Sequence, residues 1–252
     1  MNVEMNKKYD AKFKEVPFYE IHPEYIPFVG NEYDTYRILL IGESHYIEQK
    51  NDENPKYDLD YFKEHWWNGT DNELKKEYSD WYNTKAVVKN YLNGKFTRSH
   101  LIFSNPLRVF SKDILGKPIE KINSENVQQF NFFAFMNFFQ MPSLYEGMKF
   151  WDSLRKSGET NRHCPMWDEC VTKSSEVLDK VIDILEPKLV VFLSVSAYNA
   201  FKKSNARHAG DEIIQQTVHP CSPWWYKKNK DGRNGKELFS DILNSYKNSY
   251  KL

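Results

Sequence analysis

Two short segments of this chain concentrate side chains that could do chemistry. The first, Gly42-Glu43-Ser44-His45-Tyr46, places an acid, a hydroxyl, an imidazole and a phenol in one turn. Its glycine permits a tight exit from a strand. Glu43 or His45 could act as a general base or orient a water molecule. The same pattern also fits a plain strand-to-helix turn that is capped by Ser44, and both interpretations remain open.

The second segment reads His219-Pro220-Cys221-Ser222-Pro223-Trp224-Trp225-Tyr226 and is followed by Lys227 and Lys228. Two prolines stiffen the backbone around small polar residues, and three aromatic residues follow. A rigid loop with an aromatic tip and a basic flank suits insertion into a nucleic-acid stack with phosphate contacts. The alternative is a proline-shaped loop whose tryptophans cover the core. The Trp-Trp-Tyr run beside a histidine favours the functional interpretation.

The elements that position these segments are indicated by apolar patterns. Apolar patterns predict strands at residues 37–42, 131–139, 189–193 and 213–218, and the continuous apolar runs of the first and third predict buried strands. A further apolar piece occupies residues 101–103. Helical patterns cover residues 72–81, 85–92, 170–186, 197–203 and 235–250, the fourth of them behind a predicted cap at Ser196.

Strands that are separated by helical stretches predict an α/β domain, in which ligands bind beyond the carboxyl ends of the strands. This rule selects the residues after Ile41, Met136, Leu193 and Val218. We expect a three-layer αβα domain with a central, mainly parallel four-stranded sheet. Residues 1–252 are expected to form a single domain, with an N-terminal arm at 1–35 and a helical insertion at about 50–95.

The composition limits the classes of protein that fit. The chain has 252 residues, of which 40% are hydrophobic and 28% charged, which is typical of a globular protein. Lysine plus arginine and aspartate plus glutamate both number 35, which argues against binding nucleic acid through bulk charge but allows a local basic patch. The three cysteines lack metal-site spacing. We therefore expect a soluble, cytoplasmic monomer without a metal or cofactor and without membrane association.

In their order and their positions, the two segments resemble the uracil-DNA glycosylase superfamily. Its members carry a first motif of the form Gly-x-x-Pro-Gly/Tyr and a second of the form His/Asn-Pro-Ser. Residues 101–104 resemble the family segment whose phenylalanine stacks on the flipped base. Met136-Asn137 resembles the end of the family's central strand, and residues 189–201 resemble the strand and helix before the last motif. The resemblance covers roughly residues 37 to 245.

The superfamily hydrolyses the bond between a base and its deoxyribose after the nucleotide has swung out of the DNA. The resemblance implies that Glu43 acts at the sugar, in one catalytic loop with Ser44 and His45. It implies that His219 donates a hydrogen bond to the departing base. The implied base-binding residues are Phe103, Asn137 and Tyr46. The implied DNA-contacting residues are Ser222, Trp224, Trp225, Lys227 and Lys228, with one of the tryptophans as the wedge.

The chain also departs from the family pattern. Ser44 stands where the uracil-specific members carry an aspartate, whereas Glu43 matches a thermophile-type branch whose motif reads Gly-Glu-Ala-Pro-Gly. That branch carries a four-cysteine iron–sulfur cluster, for which this chain has too few cysteines. Two alternatives therefore stay open. One is a catalytically inactive nucleotide- or nucleic-acid-binding module on the same fold, and the other is a hydrolase that uses Glu43 and His219 on a small nucleoside-like substrate.

Overall fold

The apolar runs of the sequence form the centre of a five-stranded mixed sheet. A computed structural model describes residues 6–47, 56–97, 100–145, 147–159 and 164–251. The strands are β1 (Phe28–Val29), β2 (Ile38–Gly42), β3 (Phe133–Asn137), β4 (Leu189–Phe192) and β5 (Ile214–Gln216). Their order across the sheet is β1-β3-β2-β4-β5. The last four strands of that order run parallel, whereas β1 pairs antiparallel with β3.

Helices occupy most of the chain between the strands. Before β4 they are α1 (Asp10–Phe13), α2 (Pro17–Ile21), α3 (Tyr33–Tyr36), α4 (Leu59–His65), α5 (Asn72–Tyr78), α6 (Thr84–Leu92), α7 (Leu101–Asp113), α8 (Phe150–Lys156) and α9 (Pro165–Leu185). After β4 come α10 (Val195–Lys203) and α11 (Gly235–Tyr250). Short 3-10 turns lie at Pro23–Tyr25, Asn126–Phe132, Arg207–Gly210 and Pro223–Trp225.

The sheet separates two apolar cores, because successive side chains of a strand point to opposite faces. Leu39 and Ile41 of β2 face a core that includes buried residues of α1 to α5 and α8 to α10. Ile38 and Leu40 face a second core, which includes buried residues of α6, α7 and α11. Helices therefore cover both faces of the sheet, and the expected α/β class with three layers is observed.

The expectation of an N-terminal arm at 1–35 is wrong for its described part, residues 6–35. Phe13, Tyr19, Tyr25 and Tyr33 have exposed fractions of 0% to 1% and belong to the core. The same segment supplies β1, so the sheet has five strands and not the expected four. Prolines break up the sequence here, and the short elements between them show no regular apolar period.

The predicted insertion is helical in its described part, which contains α4, α5 and α6. Residues 48–55, where the prediction placed its beginning, lie outside the described residues. The apolar piece at residues 101–103 forms the first turn of α7. Helix α10 begins two residues earlier than predicted, at Val195, since its cap is Ser194 and not Ser196. Across the described ranges, we find no helix with the length and apolar character that crossing a membrane requires.

Candidate functional site

Glu43 is the first residue after β2, at the carboxyl end of the sheet. Its Oε1 accepts a hydrogen bond from the backbone N–H of Phe150 at 3.0 Å, and its Oε2 accepts one from the Ser194 hydroxyl at 2.6 Å. Phe150 begins α8, and Ser194 caps α10. Helix amino ends carry partial positive charge, which favours a carboxylate there. Each oxygen retains the capacity for another hydrogen bond, so this half-buried group is fixed in direction but still able to bind a ligand.

Asn137 ends β3 directly beside the end of β2. It is the register partner of Gly42 in the parallel pair. Its Oδ1 occupies the space that a Cβ on Gly42 would need, and the ring of Phe135 approaches the same point at 3.1 Å. The exposed fraction of Asn137 is 7%, and its side-chain amide makes no hydrogen bond within the part of the chain that the structure describes. A polar amide is therefore held at the sheet edge and is available to an incoming group.

His219 follows β5 and is held as a neutral imidazole. Burial, and then the nearby charge of Lys149, lower the pKa of His219 to about 4. Its Nδ1 lies 3.2 Å from the backbone N–H of Cys221, which can only donate, so Nδ1 accepts. In the neutral ring the proton is then on Nε2. His219 consequently presents an Nε2–H donor.

Glu43 and His219 lie at the same edge of the sheet. Their strands β2 and β5 are separated only by β4, which corresponds to two strand spacings, or about 10 Å. The charge of Lys149 contributes to the lowered pKa of His219, and the residue that follows Lys149, Phe150, donates to Glu43. The site thus combines a fixed carboxylate, a primary amide and a neutral imidazole donor, with Lys149 as a nearby cation.

His45 does not take part in this arrangement, contrary to the catalytic role expected for it. Its Nε2 lies 2.9 Å from the Thr84 hydroxyl, and its ring meets the ring of Tyr25 at 5.2 Å between centroids. It is 5% exposed, and burial lowers its pKa to about 3. The side chain therefore packs as a neutral core residue and not as a base.

The other two candidates of the first segment are half-buried. Ser44 lies beside Glu43 in the chain. Tyr46 forms an isolated parallel bridge with Ser143, and its ring lies 6.1 Å from that of Trp81. The ring of Tyr46 therefore lies near Trp81, which is located between α5 and α6.

Phe103 lies inside the second core, contrary to its expected role of stacking on a base. It is 1% exposed. The rings nearest to it have centroids between 4.9 and 6.0 Å away and belong to Phe135, Tyr91, Phe130 and His100. With its ring enclosed in this way, Phe103 has no open face for a base.

The loop after β5 separates its two tryptophans. Trp225 is 0% exposed and its ring lies 6.0 Å from that of Phe239, so the expectation that it contacts DNA is not met. Trp224, in contrast, is 54% exposed. Lys227 and Lys228 are exposed. Ser222 has a local role, because its hydroxyl accepts from the Trp224 N–H at 3.3 Å.

Sequence reasoning missed three residues that shape the site: Ser194, Lys149 and Asn105. Ser194 and Lys149 act through contacts with residues distant in the chain, which no local pattern reveals. Asn105 is 1% exposed, donates to the Pro220 carbonyl at 2.8 Å, and accepts from the Tyr226 hydroxyl at 2.9 Å. The sequence feature that could have revealed Asn105 is its position among the apolar residues around Pro106. An amide that is buried there needs hydrogen-bond partners.

Within the described ranges, no group of three or more His, Cys, Asp or Glu side chains is arranged to hold a metal ion.

The chain matches no protein-family model, no curated protein and no solved structure.

Proposed function

We propose that this protein is a DNA glycosylase-like hydrolase that excises uracil or another altered base from a flipped-out nucleotide. The observation that carries the proposal is that Glu43 and His219 follow strands β2 and β5 at the same, carboxyl edge of the sheet. A carboxylate fixed through both oxygens and a neutral imidazole with an Nε2–H donor lie at the edge where parallel sheets commonly bind ligands. When a base is cleaved from a sugar, positive charge develops on the sugar and negative charge on the base. The carboxylate of Glu43 is suited to stabilise the first, and the Nε2–H of His219 is suited to stabilise the second.

In the proposed reaction, the C1′–N bond breaks and its electron pair leaves with the base. Positive charge then develops on the sugar, where the Glu43 carboxylate stabilises it. A water molecule forms the new bond at C1′, and Glu43 accepts the water's proton. His219 Nε2–H donates a hydrogen bond to the negative charge that develops on the base. The products are an abasic deoxyribose and the free base, which takes up a proton from solvent while Glu43 releases its proton to solvent.

Asn137 and Trp224 have supporting roles in the proposal. The unpartnered amide of Asn137 offers both a donor and an acceptor, so it can read one edge of a base. The exposed ring of Trp224 is the remaining candidate for the wedge that fills the vacated position in the DNA. Lys227 and Lys228 follow it and would contact the phosphate backbone.

The test is release of free base from single-stranded and duplex oligonucleotides that carry uracil or other lesions. Glu43→Gln and His219→Ala should each lower the rate by about a hundredfold or more. Glu176→Gln on the exposed face of α9 and His65→Ala are the matched controls and should leave the rate unchanged. No release from any substrate by the wild-type protein, or equal rates in Glu43→Gln and the wild type, would overturn the proposal.

A second candidate is a binding module without catalysis, which the enclosed ring of Phe103 favours. A base that enters this site finds no free aromatic face at that position. In addition, Ser44 cannot supply the carboxylate that its place in the first motif suggests. Binding of oligonucleotides without release of any base, and loss of that binding in Asn137→Ala, would favour this candidate over the enzyme.

A further inference from the structure

A small cationic pocket lies behind the loop that carries His219. It is located between α7, α11 and that loop, and its volume is about 220 Å³. The polar side chains that line it and matter here are those of Asn105, Arg108, Lys112, Tyr226, Lys236 and Ser240. The pocket is separate from the edge of the sheet at which Glu43 and Asn137 lie.

The charges of this pocket are not balanced. Three cations line it, and Asp113 is the one acid among its lining residues. Asp113 is already engaged, since its Oδ2 accepts from the Ser240 hydroxyl at 2.6 Å. Its Oδ1 lies 3.8 Å from Lys112 Nζ. An excess of positive charge therefore faces the pocket and favours an anion.

Arg108 supplies a second, independent indication. Its Nε–H is buried and has no hydrogen-bond partner among the described residues. Another nitrogen of the same guanidinium donates to Asn105 Oδ1 at 3.3 Å. A buried donor on a charged group without a partner is costly, and the charge of an anion in the pocket would offset part of that cost.

From these observations we propose that the pocket binds a phosphate group. Guanidinium donors match the oxygens of a phosphate, and lysines add charge without a fixed geometry. Pockets for drug-sized ligands have volumes of about 300 to 1,000 Å³, so this smaller one suits a single phosphate group and not a whole nucleotide. The group could belong to a free phosphate or to a nucleic-acid backbone, and these sources share the same recognition chemistry.

The phosphate pocket is connected to the candidate site through Asn105. Oδ1 of Asn105 accepts hydrogen bonds from Arg108 and from the Tyr226 hydroxyl. Nδ2 of Asn105 donates to the Pro220 carbonyl. Pro220 directly follows His219. A phosphate that fixes Arg108 would therefore restrain the loop that holds the imidazole, and occupancy of the pocket would support the geometry of the site.

The test is titration calorimetry of the full chain with inorganic phosphate, and separately with a lesion-free single-stranded oligonucleotide. The double variant Lys112→Gln/Lys236→Gln should weaken phosphate binding by at least about tenfold, because charged hydrogen-bond donors are lost. Lys180→Gln on the far side of α9 is the control and should change it by less than about twofold. A weakening seen only with the oligonucleotide would assign the pocket to the nucleic-acid backbone, whereas one seen with inorganic phosphate alone would assign it to a free phosphate.

Arg108→Gln is the sharper variant but also touches Asn105, so Arg108→Lys and a circular dichroism spectrum accompany it. The lysine should retain part of the affinity and the glutamine should not. No detectable binding of either probe, or equal affinities in the wild type and the double lysine variant, would overturn the inference. Neither titration involves base release, so a failure of the glycosylase proposal would leave the phosphate result intact, and the reverse also holds.

Discussion

The side-chain oxygen of Asn137 occupies the space that a Cβ atom on Gly42 would need. The two residues are register partners at the ends of neighbouring parallel strands. Gly42 has no positive φ, so its requirement is one of space and not of backbone conformation. The position of the amide at the candidate site therefore depends on the absence of a side chain on the neighbouring strand.

Gly42→Ala should accordingly lower the free energy of unfolding by about 1 to 3 kcal/mol, because the new methyl group overpacks the strand ends. Urea denaturation measures this loss. Gly210→Ala is the control, since nothing lies within 4 Å of a Cβ at that position and its φ is ordinary. Adding Asn137→Ala to Gly42→Ala should recover part of the loss. A double variant whose loss equals the sum of the single losses would contradict the contact.

The hydrogen bond from Ser194 to Glu43 should appear as a coupling free energy. Ser194→Ala removes this bond and the cap of α10, whereas Glu43→Gln keeps the shape but removes the charge. A double-mutant cycle separates the pair from the cap, and hydrogen bonds to charged groups contribute about 1.5 to 3 kcal/mol. We expect a coupling of about 1 kcal/mol or more, read from urea denaturation. A coupling near zero would mean that the serine acts only as a cap.

His45 should make the protein sensitive to acid. Its pKa in the folded protein is about 3, against 6.5 for a free histidine. The unfolded chain therefore binds the proton first as pH falls, so the contribution of His45 to stability is complete above pH 6.5 and is lost progressively toward pH 3. The expected slope is about 1.4 kcal/mol per pH unit in this window.

The measurement is the free energy of unfolding of wild type and His45→Gln between about pH 7 and pH 4.5. The variant should be less stable than the wild type at neutral pH, and the difference should shrink as the pH falls. Asn90→Gln, at an exposed side chain that does not titrate, is the control and should follow the wild-type slope. Parallel curves for wild type and His45→Gln would show that this buried imidazole does not titrate as described.

The adjacent tryptophans Trp224 and Trp225 should respond to truncation in opposite ways. Trp225→Ala leaves a large cavity against α11 and should cost about 3 to 5 kcal/mol of unfolding free energy. Trp224→Ala removes a largely exposed side chain and should change stability by no more than about 0.5 kcal/mol. Urea denaturation compares the two, and acrylamide quenching should be reduced mainly by loss of Trp224. Similar stability losses in both variants would contradict the burial of Trp225.

The sequence allowed prediction of elements whose pattern is local and strong. Strand β2 is apolar on both faces and ends in glycine, and α11 carries one apolar stripe, so both were found with nearly their observed bounds. The edge with Glu43 and His219 followed from the rule for parallel sheets. Exposure of individual aromatic residues did not follow, as Phe103 and Trp225 show, because burial depends on distant partners. Ser194 was missed for the same reason, since it meets Glu43 across 151 positions of the chain.

The two-residue strand β1 also determines how this chain can be shortened. Phe28 and Val29 cover the outer side of β3 by antiparallel pairing. A fragment that started at Arg37 would leave β3 as a bare sheet edge, whose unpaired backbone groups invite pairing with a second molecule. The segment before β2 thus covers this edge of the sheet, and fragments for crystallisation or fusion should retain it.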